Sequence, residues 1–286
     1  MPNLLKDVRK GVVFPSWLRE TLRSTGLYAP AQRLWHPIKY KLYDLQSPYL
    51  VEIDGMTAEF KIRDGFDEKM VTDHAEDERK LLADIVSSVG PSDVFGDLGA
   101  NIGLFSALAG QNADRTVAFE PHPDNYDRLR ENLSLNSVAA DMFQIALSDT
   151  EGNLEFILPP DIDVTGGAAI VSGEEEQKEH FRKQYGGFRT EVVSSMTGDS
   201  FFQRHDVPSP TVLKIDVEGA EMNVLQGLET TIAASDVRLI YVEVHRFIDD
   251  FGFEQQDVND FLEGRGFETE TLLEYQNGNY FLRAER

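Results

Sequence analysis

Residues 97–103, "DLGANIG", follow an apolar run and set two glycines and an asparagine around one carboxylate. Gly99 and Gly103 permit positive φ angles and close backbone approach to a ligand, and Asn101 tolerates a left-handed turn better than most residues. A second carboxylate, Glu120, lies 21 residues beyond Gly99 in "VAFEPHPDN". At the tip of a neighbouring strand such a group accepts hydrogen bonds from both hydroxyls of a ribose. Further along, "LKIDVEGAE" ends a strand on Asp216 and continues with Glu218, Gly219 and Glu221. "IYVEVH" carries Glu243 and His245 at alternate positions, so both side chains point the same way.

The glycines Gly96, Gly99 and Gly103 do not follow the glycine-x-glycine-x-x-glycine spacing of a dinucleotide site. Asp97 stands where a pyrophosphate needs neutral or positive surroundings, and its charge suits a cationic ligand instead. S-adenosylmethionine fits: it carries an ammonium and a sulfonium and no phosphate. Pro121 and His122 are placed to pack beside the adenine, with Gln144 or the backbone near Ile145 and Ala146 lining its edge. Asp216, Glu243 and His245 converge as the catalytic cluster. His245, with an unperturbed pKa of about 6.5, is the first choice of base for a weak hydroxyl nucleophile, and Asp216 or Glu243 orients it or acts in its place. The other arrangement has Asp216, Glu243 and His245 binding a divalent ion that lowers the hydroxyl pKa. Glu218 and Glu221 read equally as site residues or as acids favouring the positive end of the next helix. Lys214 reads as a buried ion-pair partner for one of the acids.

These residues need a frame that brings strand tips together. Strand-like segments fall at 93–97, 116–120, 142–147, 212–216 and 239–244, with helical patterns after the first, second, fourth and fifth. That alternation predicts a parallel sheet with helices on both faces. "EDERKLLADIVSSVG", residues 76–90, has helical spacing and ends on glycine. "VEIDGMTAEFKI", residues 51–62, alternates around Asp54-Gly55 as a hairpin, and the C-terminal run turns at Asn277-Gly278 as a second hairpin, which adds one antiparallel strand. Residues 150–210 interrupt the alternation and read as a lid or disordered insertion, with a mobile helix over 174–183. The chain divides into a basic N-terminal helical segment and small β-hairpin, 1–75, and a ligand-binding domain, 76–286.

With "DLGANIG", "FEPHPDN", "ALSD", "LKIDVEGAE" and "VEVH" in that order, the chain resembles the FkbM-type family of S-adenosylmethionine-dependent methyltransferases over Glu76 to Phe267. The resemblance implies a Rossmann-like α/β fold with a seven-stranded, mostly parallel sheet and an antiparallel last strand. It also implies methyl transfer to oxygen, often a hydroxyl of a sugar or secondary metabolite. Gly96 departs from the family pattern, which often has an aliphatic residue there. The 150–210 segment and the basic N-terminus lie outside the shared pattern, so the acceptor does not carry across.

The chain has 286 residues, 50 acidic against 27 basic, and no cysteine, so thiolate metal sites and cysteine nucleophiles are excluded. A net charge of -23 argues against nucleic acid as a partner. Many carboxylates with few lysines give a halophile-like surface, for which salt screens the self-repulsion. Residues 1–43 hold eight Lys or Arg against two acids and are rich in aromatics, which suits helices packed on the acidic body or peripheral contact with an anionic membrane. No apolar run is long enough to span a membrane and the start lacks a signal-peptide pattern, giving the expectation of a cytoplasmic protein, with the inner membrane surface as its peripheral site. The expected acceptor is a glycan or glycolipid, at a sugar hydroxyl or a uronic acid carboxylate. The rival readings are an NAD-dependent oxidoreductase and a non-catalytic ligand-binding module.

Overall fold

The computed structural model describes residues 48–158, 186–234 and 236–286, together with a few positions within 21–27 and 170–183. The basic aromatic segment, and with it the membrane-contact expectation, lies outside the described residues, as does most of the helix expected over 174–183. Among the described residues no helix is long and apolar enough to cross a membrane.

A hairpin opens the described chain, with β1 (Tyr49–Ile53) and β2 (Met56–Phe60) paired around Asp54 and Gly55, both at positive φ. Helix α1 (Gly65–Lys69) runs into a π-helical turn at Met70–His74, and α2 (Arg79–Ser88) follows. Strand β3 (Val94–Leu98) leads to α3 (Leu104–Ala109), β4 (Arg115–Phe119) to α4 (Pro123–Leu135), and β5 (Ala140–Phe143) comes next. After the intervening segment come β10 (Val212–Ile215), α6 (Glu221–Gly227), α7 (Glu229–Ala233), β11 (Leu239–Val244), α8 (Gln255–Glu263), β12 (Glu268–Glu274) and β13 (Tyr280–Glu285).

Seven strands form one sheet in the order β12-β13-β11-β10-β3-β4-β5. The pairs from β11 through β5 are parallel, and β13 runs antiparallel to both β11 and β12, so one strand in the sheet is reversed, as the terminal Asn-Gly turn predicts. Period-two alternation sorts strand residues to two apolar layers. Phe95, Ala118, Val212, Leu239 and Tyr241 pack on one face with α2, α3 and the β1–β2 hairpin. Leu98, Val117, Phe119, Leu213, Ile215, Ile240 and Val242 pack on the other with α6 and α8. Both faces of β10 and β11 are covered, which is why they read as continuous apolar runs. The hairpin, grouped by its sequence with the N-terminal segment, shares the core of the sheet through Ile53, Ala58 and Phe60.

Two expectations need correction. The strand expected over 142–147 is two strands: β5 stays in the main sheet, while β6 (Ala146–Leu147) leaves it for a four-stranded sheet ordered β6-β9-β7-β8. The other members are β7 (Gly152–Leu158), β8 (Ile170–Val171) and β9 (Arg189–Met196), followed by α5 (Gly198–Arg204). The described part of 150–210 is therefore ordered sheet and helix. Phe156 and Val193 pack with Ala146 in a small apolar cluster that holds this sheet together.

Candidate active site

The β3–α3 loop rises over the tip of β4, where Gly99 and Ala100 donate backbone N–H groups to the Phe119 carbonyl at 3.0 and 2.9 Å. Gly99, Asn101 and Gly103 sit at φ +76°, +52° and +89°. Gly99 has no room for a side chain, since a Cβ there would stand 1.9 Å from the Asp216 carbonyl oxygen. Gly103 serves packing: its Cβ would press on Leu129 of α4 at 2.8 Å. The Glu120 carboxylate joins the two loops by accepting the Asn101 N–H at 2.8 Å and the His122 N–H at 2.9 Å. Burial pushes its pKa up to about 7, against the lowering pull of those two donors and of Lys214.

Between these tips lies a cavity of about 720 Å³, including its mouth. Its wall contains Gly99, Asn101, Glu120, Pro121, Ile145, Ala146 and Asp216, all expected from the sequence, together with Asn125, Phe156 and Glu218. Three carboxylates and no Lys, Arg or His line it among the described residues. This donor set fits a cation with an apolar ring. Glu120 would hold the ribose, the Gly99–Asn101 loop and Asp216 the charged end, and Ile145, Leu147 and Phe156 the adenine of S-adenosylmethionine. Among the described residues no basic side chain lines the wall to offset a pyrophosphate.

Asp97 does not supply that charge directly, contrary to the sequence expectation. It is fully buried, accepts the Ser106 hydroxyl at 2.6 Å, and faces Lys214 Nζ at 3.3 Å. Lys214 is the predicted buried partner, and it serves two acids at once. Its Nζ also lies 3.3 Å from Asp216 and donates to the Gly99 carbonyl at 2.9 Å. Burial alone would lower the Lys214 pKa, but Asp216 and Asp97 outweigh it and raise it. His122 likewise lies outside the cavity wall. It is buried at the start of α4, with Nε2 3.5 Å from Glu191 of β9, and burial lowers its pKa.

His245 and Glu243 stand behind Glu218, out of the cavity wall itself. Glu221, fully buried on α6, has one oxygen 2.8 Å from His245 Nδ1, and the same oxygen accepts the Gly219 N–H at 2.8 Å. His245 Nε2 lies 3.3 Å from Glu243 and 3.4 Å from Glu218. Burial works to lower the His245 pKa, yet Glu243, Glu221 and Glu218 together hold it well above the usual histidine range. A ring with carboxylates at both nitrogens and a retained proton is a poor proton acceptor. Burial raises Glu243 well above the usual carboxylate range, helped by Asp216, Glu218 and Glu78 and opposed by His245. Asp216, Glu218 and His245 each offer a ligand atom within 4.8 Å of the others, a spacing compatible with a metal ion.

Sequence reasoning missed Glu78, Tyr275, Asn279 and Phe156. Phe156 comes from outside the alternating pattern and carries no motif. Tyr275 and Asn279 flank the Asn277-Gly278 turn, and that turn places Asn279 Nδ2 3.1 Å from Glu243.

The model of the Methyltransferase FkbM domain matches residues 97–269. The hexuronic acid methyltransferase AglP of Haloferax volcanii is 29% identical over 76% of this chain and 82% of its own length. The 31-O-demethyl-FK506 methyltransferase FkbM of Streptomyces tacrolimicus is 30% identical over 62% of this chain and 73% of its own. The crystal structure of methyltransferase FkbM from Methylobacillus flagellatus KT is 15% identical with a TM-score of 0.45, over 68% of this chain and 43% of that one. With more than half of its length matched, from the glycine loop to the start of β12, the chain belongs to the FkbM methyltransferase family.

Proposed function

We propose that the protein transfers a methyl group from S-adenosylmethionine to an oxygen of a sugar on a glycan or glycolipid, either a hydroxyl or a uronic acid carboxylate. The observation that carries the cofactor half is a cavity wall that bears Glu120, Asp216 and Glu218 and, among the described residues, no Lys, Arg or His. The sugar half is supported by the relative AglP, whose name specifies hexuronic acid.

When bound, the cofactor supplies an electrophilic methyl carbon on a positively charged sulfur. The acceptor oxygen must lie on the line extending the sulfur–methyl bond, and holding it there removes the entropy cost of encounter. Lys214 locks Asp216 and the Gly99 loop in register at the cavity floor. Glu243 takes the hydroxyl proton, since Asp216 is paired to Lys214 and burial holds the Glu243 carboxyl well above the usual carboxylate range. His245 holds Glu243 and Glu218 in place and is itself fixed by Glu221. This reading uses no metal.

Calorimetry with S-adenosylmethionine and with NAD, followed by transfer assays with and without a chelator, tests the proposal. Uptake of the first ligand alone and chelator-resistant transfer to a saccharide are expected. Uptake of NAD alone would overturn the cofactor, and loss of transfer on chelation, restored by a divalent ion, would assign the metal arrangement to Asp216, Glu218 and His245.

A further inference from the structure

Residues 48–75 precede the stretch that matches the family model, yet they are fastened to the glycine loop, and helix α4 is the intermediary. Its Asn136 side chain pairs with both backbone groups of Glu59, accepting the N–H at 2.7 Å and donating to the carbonyl at 2.8 Å, as a neighbouring strand would. Its Arg128 lies 2.6 Å from Asp64, the N-cap of α1, and 2.6 Å from Asp67. Asn132, almost wholly buried, accepts the Lys61 N–H at 3.2 Å and donates to the Ile102 carbonyl of the loop at 2.8 Å. One side chain thus bridges the chain after the hairpin and the loop over the cavity.

The same segment reaches the loop a second time. Met70, the first residue of the π-helical turn, is buried, and its sulfur accepts the Asn101 side-chain N–H at 3.6 Å. Such turns are rare and concentrate at functional sites. Asn101 stands in the cavity wall at φ +52°, a backbone conformation that a residue with a side chain keeps only when its surroundings hold it. Its Oδ1 is buried with no donor among the described residues, so the amide is not placed by satisfying its own oxygen. The Asn101 backbone N–H donates to Glu120 at 2.8 Å, so a shift of this residue takes a donor from the carboxylate assigned to the ribose.

We infer that Met70 is a positioning residue for the cofactor: by taking the Asn101 amide it holds the loop in its left-handed turn and keeps the Asn101 N–H on Glu120. The segment ahead of the matched domain thereby completes the nucleoside site. Met70 is not itself in the cavity wall and acts through Asn101. The inference rests on the S-adenosylmethionine reading above.

The test titrates the full chain and its Met70→Leu variant with S-adenosylmethionine by calorimetry, after thermal melting shows both folded. Leucine keeps the apolar bulk and removes the sulfur. Affinity is expected to fall about fivefold, the scale of one ordinary hydrogen bond. Asn101→Gly, which suits a positive φ and carries no amide, closes a double-mutant cycle. Once residue 101 is glycine, Met70→Leu is expected to cause no further loss; losses that multiply mark a packing role and overturn the inference. Hydrogen exchange without ligand gives a second reading. The Asn101 N–H should exchange faster in Met70→Leu, while the N–H of Leu98 within β3 keeps its wild-type rate. Unchanged cofactor affinity in the folded variant, or equal acceleration at both amides, overturns the inference and leaves the cofactor reading intact. No heat from the wild-type protein with S-adenosylmethionine overturns that reading and the inference with it.

Discussion

Gly99 and Asp216 meet backbone to backbone, with the space for a Cβ on Gly99 ending 1.9 Å from the Asp216 carbonyl oxygen. Gly99 also sits at φ +76°, where a side chain is strained whatever the room. Gly99→Ala therefore forces the β3 and β10 tips apart. The expected result is a loss of more than about 2 kcal/mol of stability, from the strain of a non-glycine residue at this φ and from the clash. Cofactor affinity should fall with it, by tenfold or more on the scale of about 1.4 kcal/mol per decade. Chemical denaturation and calorimetry on the same preparation read both.

Lys214 tests the neutralisation of Asp97. Both are almost wholly buried, and removing one partner of a buried pair leaves a charge without compensation. Lys214→Met is expected to cost about 3–5 kcal/mol in urea unfolding. Adding Asp97→Asn to it should recover part of that loss, whereas simple volume effects would add.

Glu120 sets a pH dependence. Its folded pKa of about 7 lies above the ordinary value of 4.5, so its contribution to stability is complete below pH 4.5 and is lost as pH rises through 7. Relative to Glu120→Gln, the wild-type protein without ligand should lose about 3 kcal/mol across that window, from about 1.4 kcal/mol per pKa unit. A cation or a pair of ribose hydroxyls favours the ionised carboxylate, so cofactor binding near pH 7 should release protons. Calorimetry in buffers of different ionisation enthalpy detects that release, and proton uptake would contradict the assignment.

Glu221 positions His245 without touching the cavity. Glu221→Gln weakens the hold on Nδ1 and lets the ring turn, so kcat should fall by about 100-fold, in the range seen for acid–base groups, with cofactor affinity unchanged. The Nδ1 nitrogen resonance of His245 should shift in the same variant. A purely structural role would instead lower thermal stability and leave kcat per folded molecule intact.

Surface charge predicts a salt response. With a net charge of -23, self-repulsion weakens the compact state in dilute buffer. The melting temperature should rise steadily with potassium chloride, well past the concentration at which ordinary surface pairs are screened. A flat profile would remove halophily from the reading of the composition.

The strand tips were legible because parallel strands covered on both faces are apolar throughout and end abruptly at their first polar residue, as Ile215 gives way to Asp216. Glu120 lies where its spacing from the glycine loop puts it, in the wall of the cavity at the tip of the next strand. Asp97 was misjudged because only the parallel pairing of β10 with β3 brings Lys214 directly beside it. A solution pKa for His245 ignores three carboxylates, Glu243 two residues before it and Glu218 and Glu221 from one other segment. Glu78 and Tyr275 are 197 positions apart and meet through tertiary packing alone, which no local pattern records.

The reversed strand β13 lies between β11 and β12, and both of its neighbours precede it along the chain. During synthesis the β12 edge therefore has no partner on the sheet until Tyr280–Glu285 leaves the ribosome and slots in between. Asn279 arrives with that strand and supplies the donor to Glu243. The nascent polypeptide can build its nucleoside cradle early, but Glu243 receives its Asn279 donor only when β13 is in place.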